Sequence, residues 1–230
     1  MARKRSKRYR EAAKRMPPRG SRVATAEAVK LLQSIPHAKF DETVEVALKL
    51  GIDPRKADQI IRGSFAMPNG LGKTKRVIAF VEGEQAQEAR DAGAIEVGTE
   101  DLAKKIQDGW LDFDVAIAHP AAMRFVGRLG RILGPQGKMP SPKSGTVTEN
   151  VALAVREFAG GKIEFRNDAG GNVHAPVGKI SFEVDKLVEN IEAFVEHILS
   201  LRPPTAKGTY LQKVAVSSTM SPGIELAVGS

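Results

Sequence analysis

The chain contains no cysteine, so disulfides and thiolate metal sites are excluded and a reducing compartment fits. No apolar run approaches the roughly 18 residues that a membrane span requires, and a soluble protein is expected. The amino terminus also lacks the apolar core of a secretory signal peptide. Its Arg-rich, acid-poor character leaves an organelle transit peptide as an alternative, although Ser is scarce there and no small-residue cleavage pattern follows. His37, His119, His174 and His197 are dispersed and share no metal-binding spacing, so neither a metal nor another cofactor is expected.

What is present is charge, unevenly placed. The 230 residues carry 35 Lys/Arg against 27 Asp/Glu, a net of +8. Residues 1–22 alone hold ten of the basic residues, including Arg3, Lys4 and Arg19, and one acid, Glu11. The attraction for polyanions therefore belongs to a basic N-terminal arm, and any binding face on the nearly neutral body must come from patterning. A segment so charged is expected to be unstructured by itself. Residues 82–114 carry ten acids and three bases, whereas 115–148 carry Arg124, Arg128, Arg131, Lys138 and Lys143 and no acid. Adjacent blocks of opposite sign imply one domain with a polarised field.

Hydrophobic periodicity gives two styles of organisation. Thr25 is placed to cap a helix with Ala28, Leu31, Leu32 and Ile35 on one face, and residues 42–50 alternate as a half-buried strand through Val44, Val46, Leu48 and Leu50. Ile60 to Ala66 reads as a second strand. Residues 76–118 then run strand, helix, strand, helix, strand, the rhythm of a parallel sheet with crossover helices. A basic helical stretch at 121–133 leads into a Gly/Pro-rich loop at 134–145, and a helix at 149–158 closes at Gly160 and Gly161. The first style returns with strands at 162–166 and 173–182, a helix from Asp185, and a final strand marked by Val214 and Val216. Neither end alone has enough apolar positions for a core. The expected fold is α/β in two domains: a discontinuous α+β domain from 23–67 and 161–230, and an inserted doubly wound, Rossmann-like domain at 68–160. Glycine-containing links at Pro68, Gly70, Gly160 and Gly161 are the expected hinge.

Catalytic readings are weak. Gly70 to Thr74 ends like a phosphate-binding loop, but Met67 stands where the motif's first glycine belongs. The first strand-to-helix turn of the insert, Val81 to Gln85, lacks the three-glycine dinucleotide fingerprint. Asp112 and Asp114 read most simply as the solvated side of a strand. No nucleophile stands out, and the chain is not expected to be an enzyme. A nucleotide- or phosphate-dependent enzyme using the parallel sheet is the competing class. The basic loop stays open between a phosphate grip by Arg128, Arg131, Lys138 and Lys143 and a flexible, solvated segment; its length favours function.

Gly130-Arg-Ile-Leu-Gly-Pro-Gln-Gly-Lys-Met-Pro-Ser-Pro-Lys-Ser-Gly-Thr146 closely resembles the signature of the bacterial-type ribosomal protein L-one family, the mobile stalk protein of the large subunit. Ala38 to Glu45, Leu50 to Asp58, Ile163 to Asp168, Ala175 to Lys179 and Ser218 to Met220 match in order, and the resemblance runs from about Lys7 to Gly223. It implies a cytoplasmic, large-subunit protein that is a monomer within the ribosome. Its discontinuous domain is implied to bind large-subunit rRNA and a mimic in its own operon mRNA, whose translation it represses. Its insert is implied to face exit-site tRNA. A free-standing regulator that rarely joins ribosomes would carry the same RNA face.

Carried over by position, the RNA face falls on Lys39, Phe40, Thr43, Arg166, Asp168, Lys213, Thr219, Met220 and Ser221. Cations suit phosphate, Phe40 and Met220 offer apolar contact, and Asp168 and Thr219 suit sugar hydroxyls. From the residues alone, Phe40 reads equally as a core aromatic ahead of a strand, and Met220 as an ordinary loop residue. Four positions depart from the family. Ser221 replaces a usual glycine, Lys213 a small hydroxyl residue, Asn69 a histidine of the hinge region, and Gln136 an arginine of the basic loop.

Overall fold

A computed structural model describes residues 5–18 and 20–227; Arg3, Lys4 and Arg19 of the arm, and the last three positions of the terminal segment, lie outside the described residues. The elements run α1 (Lys7–Arg15), α2 (Thr25–Ser34), β1 (Thr43–Leu50), β2 (Arg62–Ala66), β3 (Val77–Phe80), α3 (Glu84–Asp91), β4 (Glu96–Gly98) and α4 (Glu100–Gln107). They continue with β5 (Val115–Ala118), α5 (Met123–Val126), α6 (Gly130–Leu133), α7 (Val151–Ala159), β6 (Lys162–Arg166), β7 (Asn172–Lys179), α8 (Val184–Ser200), β8 (Leu211–Ser218) and β9 (Ile224–Glu225). Contacts gather into two compact units. One holds the chain up to Ile61, Met67–Gly72 and the chain from Phe165; the other holds Arg62–Ala66 and Lys73–Glu164.

In the first unit an antiparallel sheet has the order β7-β1-β8-β9. Val44, Val46, Leu48 and Leu50 of β1 are buried and Glu45 is exposed, as the strand's period of two requires. Helices α2 and α8 pack together and against β8 and β7. Helix α8 buries Leu187, Ile191, Phe194, Val195 and Ile198 at helical spacing. The same face carries a fully buried Asn190. Its Nδ2 donates to Val177 O (2.7 Å) and Gly70 O (3.1 Å), and its Oδ1 accepts from the Asn69 N–H (3.0 Å).

The second unit is built on a parallel sheet, β4-β3-β5. Every residue of β3 is buried because both faces are covered. Val77, Ala79 and Ile117 pack with Ala89, Val155 and Phe158 of α3 and α7. Ile78, Phe80, Ala116 and Ala118 face Leu102, Ile106, Val126 and Leu129 on the other side. Helices on both faces make this unit a doubly wound α/β layer structure.

Several expectations require correction. Thr25 is the first residue of α2 and Ala24 is its cap, without a side-chain bond. The stretch 121–133 is helical throughout, as expected, but α5 and α6 alternate with 3₁₀ turns at Pro120–Ala122 and Gly127–Leu129 instead of forming one regular α-helix. The strand holding Val214 and Val216 is not the last, since β9 pairs with it and Leu226 bridges Val23. The arm contains a helix: Ser6 Oγ accepts from the Tyr9 N–H (3.2 Å) and Ala12 is 2% exposed, because charge is segregated to one side of α1. Among the expected hinge residues, Pro68 and Gly70 lie in a turn fixed to Asn190 within the first unit. Gly160 and Gly161 close α7 inside the second. The chain changes unit at Ile61/Arg62, Ala66/Met67, Gly72/Lys73 and Glu164/Phe165.

Candidate nucleic-acid interface

At one end of the first unit's sheet, β1 begins, β7 ends and β8 ends, with Thr43 opposite Lys179 and Val44 opposite Ser218. The residue just before β1 is Glu42, only 1% exposed. Its carboxylate accepts from the Ala38 N–H (2.6 Å), the Ser218 hydroxyl (2.6 Å) and the Met220 N–H (3.1 Å). Burial raises the Glu42 carboxyl, but the bonds from Ser218, Ala38 and Met220, with His37 nearby, outweigh it and hold the group below its ordinary value. One buried anion thus ties the loop before β1 to the turn after β8.

Other bonds complete the frame. Thr43 and Thr219 exchange backbone and side-chain bonds: the Thr219 N–H donates to Thr43 O (3.0 Å) and the Thr43 N–H to Thr219 Oγ1 (3.0 Å). Lys179 Nζ donates to Thr43 Oγ1 (2.9 Å), and Asp41 accepts from the Ser181 hydroxyl (2.8 Å). Ser221 Oγ accepts from the Ser218 N–H (2.8 Å), so this serine closes the turn with its own side chain. On this frame Lys39 is exposed, Phe40 is 53% exposed and Met220 is 49% exposed. Phe40 is therefore no core aromatic. Thr219 has committed its hydroxyl to Thr43, so its contribution is to shape the turn.

Arg166, Asp168 and Lys213 are elsewhere. Lys213 lies opposite Lys49, six residues along β1 from Thr43, or about 20 Å. It is paired with Glu225 (2.6 Å). Asp168 belongs to that same far end, because its N–H donates to Asn172 O and Asn172 lies opposite Lys49. Its carboxylate accepts from the N–H groups of Gly170 and Asn172 (2.8 Å each) and from the Asn172 amide (2.9 Å). Those bonds, Asn172's first, hold it below the ordinary range. Arg166 is exposed at the end of β6. The carried-over residues thus form one group at the Glu42 end of the sheet and a second, Asp168 and Lys213, at its other end, with Arg166 on the separate β2-β6 pair.

The basic loop divides similarly. Arg128, Arg131 and Lys143 are exposed, whereas Lys138 Nζ donates to Leu111 O (3.1 Å) and lies 4.9 Å from the Phe113 ring centroid. Lys138 is therefore structural. The loop is stitched shut at its far end, where Thr146 Oγ1 accepts from the Ser141 N–H (2.8 Å) and lies 3.0 Å from Ser144 Oγ.

Sequence reading overlooked Glu42, although it falls in the inward phase of the alternation that continues at Val44 and Val46. An acid at a core-facing position is the signal that finds it. The Gly70–Thr74 stretch leads toward β3 with no helix between, so it lacks the helix N-terminus of a phosphate loop. Among the described residues no group of three or more His, Asp or Glu side chains could hold a metal ion, and no helix is long and apolar enough to cross a membrane. Residues 31–222 match the family model described as the ribosomal protein L1p/L10e family. The match includes both groups at the ends of the sheet and the whole basic loop, and the chain belongs to the ribosomal protein L1p/L10e family.

Proposed function

We propose that this large-subunit ribosomal protein, by family an rRNA binder, meets its rRNA through Lys39, Phe40, Thr43 and Met220 at the Glu42 end of the sheet. The observation that carries this reading is the pair of half-exposed apolar side chains, Phe40 and Met220, on segments fixed by a buried carboxylate. Phe40 offers a flat face to a base or sugar, and Lys39 offers a cation to phosphate. Thr43 Oγ1 already accepts from Lys179, which leaves its hydroxyl proton to donate. At the far end Arg166 supplies a second phosphate contact, while Asp168 and Lys213 shape the surface around it.

On this reading the discontinuous first unit is the rRNA-binding domain. The same face serves the mimic in the operon messenger and represses its translation. Arg128, Arg131 and Lys143 of the second unit, on a stretch of chain without acids, face deacylated tRNA at the exit site. Base stacking on an aromatic contributes about 1–3 kcal/mol. Phe40→Ala should weaken binding to a stalk rRNA fragment roughly 5- to 150-fold by that measure, and Thr219→Ala combined with Met220→Ala should weaken it too. Near-wild-type affinity in both, read by fluorescence anisotropy, would sink the site.

A further inference from the structure

Seven basic residues of the arm fall among the described residues: Arg5, Lys7, Arg8, Arg10, Lys14, Arg15 and Arg22. Three of them are engaged within the protein. Arg5 lies 4.8 Å from the Tyr9 ring centroid. Arg15 pairs with Glu11 (3.1 Å) and donates to Ser34 O (3.3 Å), and Arg22 pairs with Glu225 (3.4 Å). Lys7, Arg10 and Lys14 are exposed and make no ion pair among the described residues. At 3.6 residues per turn, positions 7, 10 and 14 fall within a narrow arc of α1, opposite the side that carries Tyr9, Ala12 and Met16. They span about 10 Å along the axis.

The helix that displays them is anchored. Ala12 is buried, and the connection after Pro17 and Pro18 is tied to the sheet edge, where the Val23 N–H donates to Glu225 O (3.0 Å) and the Ala227 N–H to Val23 O (2.7 Å). Glu225 accepts from both Arg22 and Lys213. That clasp gives Lys213 a purpose that a small hydroxyl residue in its place could not serve.

We infer that α1 is a preordered phosphate-binding ridge, in which Lys7, Arg10 and Lys14 together contact one RNA backbone, distinct from the apolar face at Phe40 and Met220. The occupant is RNA rather than a protein or a lipid surface. A row of three cations, whose one neighbouring acid, Glu11, is already paired with Arg15, suits consecutive phosphates, and α1 keeps its apolar side against the protein rather than free for a bilayer. This rests on the reading of the protein as an RNA binder, but not on the Phe40 site. Contacts to phosphate carry no sequence information, so the ridge acts on any structured RNA.

The test uses full-length protein and two ligands, the stalk rRNA fragment and an unrelated hairpin of equal length, titrated across a series of KCl concentrations. Each phosphate neutralised contributes about 0.7–0.9 to the slope of log affinity against log salt. The variant K7Q/R10Q/K14Q should lose about 2–3 from that slope on both RNAs, while the equal-charge control R5Q/R8Q/R15Q should lose less than half as much. Equal losses in the two variants, or an unchanged slope in the first, would overturn the ridge. Its failure is separable from failure of the Phe40 site, which shows as lost preference for the stalk fragment with slopes intact.

Discussion

Glu42 is the residue on which the candidate RNA face depends most. Three donors converge on a carboxylate that water barely reaches, so removing it leaves the Ser218 hydroxyl and the Ala38 and Met220 amides without an acceptor. Each buried, unsatisfied group costs about 1–3 kcal/mol. Glu42→Ala should therefore lower the urea midpoint by an amount equivalent to about 2–4 kcal/mol and weaken stalk rRNA binding as well. The pH dependence has a definite sign. A carboxyl held below its ordinary value adds stability that is complete above the unfolded value, about 4.3, and is lost as pH falls through the lower folded value. Between neutral pH and about pH 3, wild type should lose more stability than Glu42→Gln; parallel losses in urea titrations would show that the carboxyl's ionisation is not linked to folding. Glu42 is legible in the phase of β1, whereas the exposure of Phe40 is not. Position 40 lies ahead of the regular strand, where alternation no longer assigns a face. Nor does residue type foretell that Lys138 and Lys213 are paired internally while Lys39 is not, because partners such as Leu111 O and Glu225 are brought near only by the tertiary fold.

At the scale of elements, β1, α8 and the parallel strands follow directly from apolar spacing because each contributes several residues to one buried face. Strand β9 has only two residues, and its pairing with β8 and the bridge from Leu226 to Val23 are tertiary in origin. The helical character of 121–133 is legible too, but not its alternation of α and 3₁₀ turns. Asn190 interrupts the apolar face of α8 and is the element's one polar cost, met by partners on β7 and in the turn at Asn69–Gly70. Asn190→Leu leaves the Asn69 N–H and the carbonyls of Val177 and Gly70 short of a partner. A loss of about 1–3 kcal/mol in chemical denaturation is expected, with affinity for stalk rRNA unchanged. A neutral outcome would mean that water replaces the amide.

Across the whole molecule, charge divides into three parts: a basic arm, a body of balanced charge, and an acid-free stretch at 115–148 that follows an acid-rich one. The proposed division of labour predicts that R128Q/R131Q/K143Q weakens tRNA binding while leaving affinity for the stalk fragment near wild type; a filter-binding comparison with the two RNAs decides it. Lys138→Gln belongs to a different class. Its loss should lower thermal stability, because Leu111 O and the Phe113 face lose their cation. The bond from Ser218 to Glu42 joins residues 176 positions apart. A growing chain that has emitted Glu42, Phe40 and all of the second unit still has no β8 to pair with β1. The second unit, spanning 62–164, has every strand and helix it needs long before that. During synthesis the parallel-sheet unit is therefore free to fold first, and the candidate RNA face comes into being only after Met220 has left the exit tunnel. If this protein restrains its own message, only finished copies can do so.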